Sequence, residues 1–277
     1  MRTAKSRLLP LAAAAVFLAP PVAAQTAEVE RIPFQGGELT ITETPEYEKV
    51  LAFDGRELSR EYFLFFERTL EVAGTQVALF LAGPGGNACG ASALMVWKPM
   101  DGEVMAESPG DDCGSPPPAA TEDRLYFVPW LRPGESLPVR SWAPGEGFET
   151  AGLLTYTPQP DTGWATFDPA ALEHPLDLFR NADVYAAAQA LLGDDMVDVA
   201  AGLSTASAPD ILDTGLVTAR GCVPYDCGGA DAFVAVDPAG RRLWFAQQGE
   251  TDEPHTWPSL EGWPAEVSEA MRGAIGR

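Results

Sequence analysis

"DTGLVTARGCVPYDCGGADAFVAVDPAGRRLWFAQQG", Asp213 to Gly249, is the stretch that decides how the C-terminal half of this chain folds. Three runs, "DTGLVTARGC", "ADAFVAVD" and "RRLWFAQQG", are rich in β-branched, aromatic and small apolar residues and read as consecutive antiparallel strands. Pro238-Ala239-Gly240 joins the last two. Between the first two, Cys222 and Cys227 bracket "VPYD". A bond between those cysteines closes a small ring at the strand tip. Pro224 fixes one φ angle inside it, and Gly228 and Gly229 let the backbone leave in conformations that other residues resist. On the residues alone the ring has two uses: a clamp on a hairpin, or a protruding plug that loses little entropy on docking.

Working outward, the segment before these strands has helical periodicity. Asp168-Pro169 suits an N-cap and first helical position, "ADVYAAAQALLG" places Val184, Ala188, Leu191 and Leu192 on one face, and "DDMVDVAAGL" continues as a second short helix. A closing helix is expected from about Pro264, with Val267, Met271 and Ile275 on one stripe. The order of helices, meander and helix predicts an α+β domain, its helices against one face of an antiparallel sheet. From Glu38 to Trp142 the pattern is instead strand-like, in "ELTIT", "EYFLFFERTL", "TQVALFLA", "ASALMVW" and "RLYFVPW". The Pro/Gly/Thr-rich "TYTPQPDTGW" is the expected boundary between the two parts. The fold class is therefore α+β, a β-rich N-terminal domain followed by an antiparallel sheet with flanking helices. Expected divisions are a leader over 1–24, the β-rich domain over 25–157 and the α+β domain over 158–277.

The leader expectation rests on Arg2, Lys5 and Arg7, an apolar run after them, and the small-residue site Val22-Ala23-Ala24. The apolar run is short for a span of about 20 residues and is broken by Pro10, Pro20 and Pro21, so a signal peptide is expected rather than a membrane anchor. A periplasmic or secreted location follows. It makes disulfides the natural use of the four cysteines, paired as neighbours: Cys89 with Cys113, and Cys222 with Cys227. Beyond them only His174 and His255 could supply imidazole, and no zinc-type spacing occurs, so no metal and no cofactor is expected.

The formal net charge is −22, which argues against nucleic acid and anionic membrane surfaces as partners. Such a charge either steers cationic proteins inward or serves only the solubility of an exported chain. The sequence carries no signal for a particular oligomeric state.

With these residues in place, "GCVPYDCGG" resembles the C-K-P-H-D-C loop of the bacterial periplasmic inhibitor of vertebrate lysozyme (Ivy) family. The similarity runs loosely from about Asp168 to the C-terminus, under half of the chain. Cys222, Pro224, Asp226 and Cys227 match the motif, whereas Val223 stands where the family has lysine and Tyr225 where it has histidine. The resemblance implies a sheet with flanking helices, and a disulfide-closed loop entering the active-site cleft of a C-type lysozyme to meet its two catalytic carboxylates. Val223, Pro224, Tyr225 and Asp226 become the expected contacts, and a cationic lysozyme-like protein the expected partner. A tyrosine hydroxyl can still donate one hydrogen bond to a carboxylate but brings no positive charge. The alternative is a periplasmic binding or scaffolding module whose loop is only structural.

Enzymatic constellations are weak. "AGPGGNACGA" lacks a nucleotide-binding fingerprint, "SPGDDC" offers only the loop pair Asp111 and Asp112, and neither G-x-S-x-G nor H-E-x-x-H occurs. The expectation is an inhibitor and not an enzyme.

Overall fold

The computed structural model describes residues 29–85, 90–110, 115, 117–224, 226–249 and 253–275. The expected leader, Asp111, Asp112, the Cys89–Cys113 pair and Tyr225 lie outside the described residues.

The N-terminal part is three antiparallel sheets. The first contains β1 (Glu30–Phe34), β2 (Gly37–Glu43), β3 (Lys49–Phe53) and β4 (Arg56–Glu61) in sequential order. The second holds β5 (Phe63–Val72), β6 (Thr75–Gly83), β7 (Ser92–Trp97) and β8 (Met105–Glu107). The third is built from β9 (Ala119–Ala120), β10 (Leu125–Phe127), β11 (Ser136–Ala143) and β12 (Gly147–Thr155). The second sheet is the middle layer. Ala78, Phe80, Leu94 and Val96 pack with Phe34, Leu39, Ile41 and Leu51 of the first sheet. Val77, Leu79, Met95 and Trp97 pack with Leu125, Phe127 and Trp142 of the third. Two covered faces explain why "TQVALFLA" and "ASALMVW" are continuous apolar runs with no polar alternation.

Two sequence expectations are shortened or extended. The run "RLYFVPW" stays in the sheet only to Phe127, and Trp130 beyond Pro129 is 77% exposed. Strand structure also extends past Trp142 into β12, whose residues are almost all exposed and so show no burial pattern to read.

The chain then makes three 3₁₀ turns, Trp164–Thr166, Pro169–Ala171 and Pro175–Arg180. The side chain of Asp168 caps the second by accepting from the Ala170 amide at 3.0 Å. Helix α1 (Ala182–Leu192) begins on an Asn181 cap that accepts from the Asp183 and Val184 amides, and ends at Gly193 with φ of 57°. Helix α2 (Met196–Gly202) follows. The last sheet combines β13 (Thr205–Ala206), β14 (Asp210–Ile211), β15 (Val217–Cys222), β16 (Asp231–Asp237), β17 (Arg242–Gln247) and β18 (His255–Trp257), and α3 (Ala265–Ile275) closes the chain. Both β13 and β14 pair with β15, then the order runs β15-β16-β17-β18.

The helices do not share one face, contrary to the sequence expectation. Val184, Ala188, Leu192, Met196 and Val199 of α1 and α2 pack on Ala232, Val234, Val236 and Phe245. Val267 and Met271 of α3 pack with Phe233, Ala235, Trp244 and Ala246 on the opposite side. Helix periodicity reports which stripe of a helix is buried, not which side of a sheet receives it. The five buried residues Ala232 to Val236 carried that information, because a strand with one solvated face would alternate.

The two parts of the chain touch through the turn at Pro133-Gly134. A Cβ on Gly134, whose φ is 87°, would lie 3.1 Å from Val197 and 3.3 Å from Met196. Glu135 is buried and holds Arg132 through the backbone amide at 2.6 Å and Nε at 2.8 Å, and the Tyr156 amide donates to the Glu135 carbonyl at 2.9 Å. The Tyr156 ring then lies 5.3 Å from that of Tyr185 on α1.

Two predictions follow from this packing. A Cβ on Gly221 would meet the Leu203 Cα at 2.9 Å and the Thr205 carbonyl oxygen at 3.0 Å, backbone atoms that cannot turn aside. Gly221→Ala should therefore cost about 2 kcal/mol of unfolding free energy in a urea titration, with an unchanged denaturant slope. The second concerns Asp237 at the β16–β17 turn. It accepts from the Gly240 amide at 2.8 Å and from Arg242 at 2.9 Å, and these donors, the amide first, hold its carboxyl below its usual 3.8. A depressed pKa adds stability that is present above the ordinary value and lost as pH falls through the folded one. The melting-temperature gap between the wild type and Asp237→Asn should therefore shrink below about pH 4; a gap that stays constant with pH would remove this contribution.

Candidate functional site

The feature that stands clear of the last sheet is the connection between β15 and β16. These strands pair antiparallel from Val217 opposite Val236 to Cys222 opposite Asp231. One further ladder bond, Val223 amide to Ala230 carbonyl at 3.1 Å, extends the hairpin before the chain turns. The Asp226 amide then donates to the Val223 carbonyl at 3.0 Å, closing a β-turn with Pro224 at its second position, where its fixed φ fits. The Asp226 carbonyl in turn accepts from Gly229 at 3.1 Å and Ala230 at 2.9 Å. So the loop folds back on itself twice within eight residues.

The disulfide joins these turns to the core. Cys222 and Cys227 are bonded with their Cα atoms 4.9 Å apart. Cys222 is buried at the end of β15, 3.7 Å from the Thr205 carbonyl, while Cys227 is exposed. The bond thus ties the outer limb of the loop to a residue of the sheet. Of the expected contacts, Pro224 and Asp226 are exposed and Val223 is half-buried. Gly228 has φ of 89°, a left-handed conformation that an L side chain rarely adopts. At Gly229 a Cβ would lie 2.5 Å from the exposed Asp226 carboxylate, which would have to turn aside.

Beside the loop is an open cleft of about 400 Å³, lined by Thr205, Ser207, Arg220, Cys222, Cys227 and Asp231 among others. Two residues that sequence reading passed over support the loop from the strands behind it. Asp231 accepts from the Gly228 amide at 2.6 Å, and the Gln248 side chain donates to the Gly228 carbonyl at 3.1 Å. The available signal was an aspartate two positions after a glycine pair, a spacing that suits side-chain capping of a turn.

The two histidines are engaged elsewhere. His174 Nδ1 accepts from the Leu176 amide at 3.1 Å and caps the Pro175–Arg180 turn, and the His255 ring stacks on Trp257 at 6.3 Å between centroids. Among the described residues no group of three His, Cys, Asp or Glu side chains is placed to hold a metal ion. No helix among the described residues is long and apolar enough to cross a membrane.

A six-residue disulfide ring restricts the unfolded chain only modestly. Replacing both cysteines, Cys222→Ala with Cys227→Ala, should lower the unfolding free energy by about 2 kcal/mol, checked by urea denaturation under non-reducing conditions. A cost near zero would mean that the loop's backbone hydrogen bonds alone set its closure.

Comparison with known proteins separates the chain along the same line as its cores. The "Uncharacterized protein y4bG" of Sinorhizobium fredii is 26% identical over 234 residues, covering 84% of this chain and 86% of that protein. Residues 35–155, the three-sheet part, match the family model described as the Y4bG N-terminal domain. Residues 183–277, which contain nearly all of α1, the disulfide loop and the sheet that carries it, match the family model described as the inhibitor of vertebrate lysozyme (Ivy).

Proposed function

We propose that this chain is an exported, stoichiometric inhibitor of a lysozyme-like glycoside hydrolase, acting by insertion of the Cys222–Cys227 loop into the enzyme's cleft. The observation that carries the reading is an exposed, disulfide-closed turn at the tip of the β15–β16 hairpin, inside the Ivy-matched segment. A target of this kind is cut along its substrate-binding groove, and a narrow turn is the shape that fills a groove. Val223, Pro224, Tyr225 and Asp226 are the proposed contacts, with Tyr225 donating its hydroxyl to a catalytic carboxylate and Asp226 facing a basic cleft wall. The chain is assigned to the periplasm or the secreted fraction, with residues 1–24 as signal peptide, 25–157 as a β-rich domain and 158–277 as the inhibitory domain.

The net charge of −22 supports a cationic partner. Complementary charge raises the encounter rate and is screened over about 8–10 Å at moderate salt. Binding energy, in contrast, comes from the few groups desolvated at the centre of an interface.

The test is a cell-wall turbidity assay with the purified protein against C-type, G-type and bacterial lytic enzymes. At least one enzyme should be slowed at a one-to-one ratio. Tyr225→Ala should weaken that inhibition by about tenfold or more while leaving the melting temperature within a few degrees. Raising salt from about 50 to 500 mM should reduce the association rate and change dissociation little. If every enzyme runs at full rate and Tyr225→Ala alters only thermal stability, the loop is a structural clamp on a binding or scaffolding module.

A further inference from the structure

The disulfide closes the loop but does not by itself aim it. Between Cys227 and the first residue of β16 lie Gly228, Gly229 and Ala230, and two consecutive glycines form the softest hinge a chain can have. A ring swinging on that hinge would meet a partner in many orientations, and ordering it would reduce affinity. The structure shows what restrains the hinge. The peptide plane before Gly228 is held through its N–H, which donates to Asp231 Oδ1 at 2.6 Å. The plane after Gly228 is held through its carbonyl, which accepts from Gln248 Nε2 at 3.1 Å. With both planes fixed, the φ and ψ of Gly228 are fixed too.

The two restraining residues are themselves locked together, since the Gln248 amide donates to the Asp231 carbonyl at 2.8 Å. That bond continues the β16–β17 ladder one step past Ala232 opposite Gln247. The ring is thus anchored through Cys222 to β15, and through Gly228 to the ends of β16 and β17.

We propose that Asp231 and Gln248 are positioning residues of the loop, clamping Gly228 so that the disulfide ring is presented in one orientation. The functional consequence rests on the inhibitor reading; the clamp itself does not.

The chemistry makes the test specific. Position 231 needs an acceptor, so Asp231→Asn keeps the bond and Asp231→Ala loses it. Position 248 needs a donor, so the isosteric Gln248→Glu loses the bond and turns a carboxylate toward a carbonyl. A residue that merely filled space would tolerate Asn and Glu equally well. Each variant is made in the full chain, with the disulfide verified by thiol titration. Gly228 and Gly229 amide exchange is then followed by NMR, alongside inhibition of whichever enzyme the wild type slows.

Asp231→Ala and Gln248→Glu should each speed exchange at both glycines by about tenfold, with Asp231→Asn close to wild type. Inhibition should weaken in the same pattern. For Gln248→Glu this is opposite to the effect of charge alone, because an added anion on an acidic inhibitor favours a cationic target. Exchange unchanged in Asp231→Ala and Gln248→Glu overturns the clamp. Faster exchange in a protein that slows no enzyme supports the clamp and counts against the inhibitor reading.

Discussion

Burial of β16 on both faces is the constraint from which the C-terminal architecture follows. Ala232 through Val236 leave no side chain to water, so the strand cannot be an edge and cannot have a solvated face. Flanking strands must supply its hydrogen bonds, and apolar layers must cover it above and below. Those layers are α1 with α2 on one side and α3 on the other. The C-terminal helix is thus needed to complete a core that the first two helices leave half open.

The same constraint expels the loop. Backbone polar groups that leave a fully packed layer need partners or water; Val223, Asp226, Gly229 and Ala230 find theirs within the loop, and Gly228 finds its own at the strand ends. Close packing continues up to the loop's base. Gly202 at the end of α2 would set a Cβ 2.7 Å from the Ala232 side chain, and Gly221 sits against the Leu203 backbone. Small residues at these positions let α2 and the chain after it lie directly on the strands that carry the disulfide. The result is a rigid seat under a short exposed turn, with rigidity supplied by packing below and by a covalent bond and a hydrogen-bonded hinge above.

Much of this was legible in the sequence, and the reason differs between its parts. Alternation in "ELTIT" places Leu39 and Ile41 inward, and both are buried. The stripes of α1 and α3 are equally readable because 3.6-residue periodicity survives any tertiary context. The side of the sheet on which α3 packs was not readable from the helix; only the unbroken apolar run of β16 implied it. The loop's position, its disulfide and its exposed Pro224 and Asp226 follow from local chemistry: two cysteines, a proline and a glycine pair between strand patterns. Asp231 caps a turn only three residues before it, so its spacing after the glycine pair was a local signal that went unread, whereas Gln248 reaches Gly228 from the neighbouring strand, twenty positions away. Side-chain spacing along a strand carries no mark of such a contact.

Under the proposed inhibition, the departures of this loop from the family motif divide the work differently between tip and body. A lysine and a histidine at the tip would bring positive charge directly to the target's carboxylates; Val223 and Tyr225 bring an apolar contact and one hydroxyl instead. Desolvating a neutral hydroxyl costs less than desolvating a cation, but it returns a weaker bond to a carboxylate. Attraction over distance must then come from the acidic body, which acts before contact and is sensitive to salt, while the braced turn acts after contact through shape. A tip with no cation to offer those carboxylates gains affinity only if it arrives already in its bound form. That makes the rigidity of the seat, and of the hinge at Gly228, more consequential here than in a loop that could rely on charge at its tip.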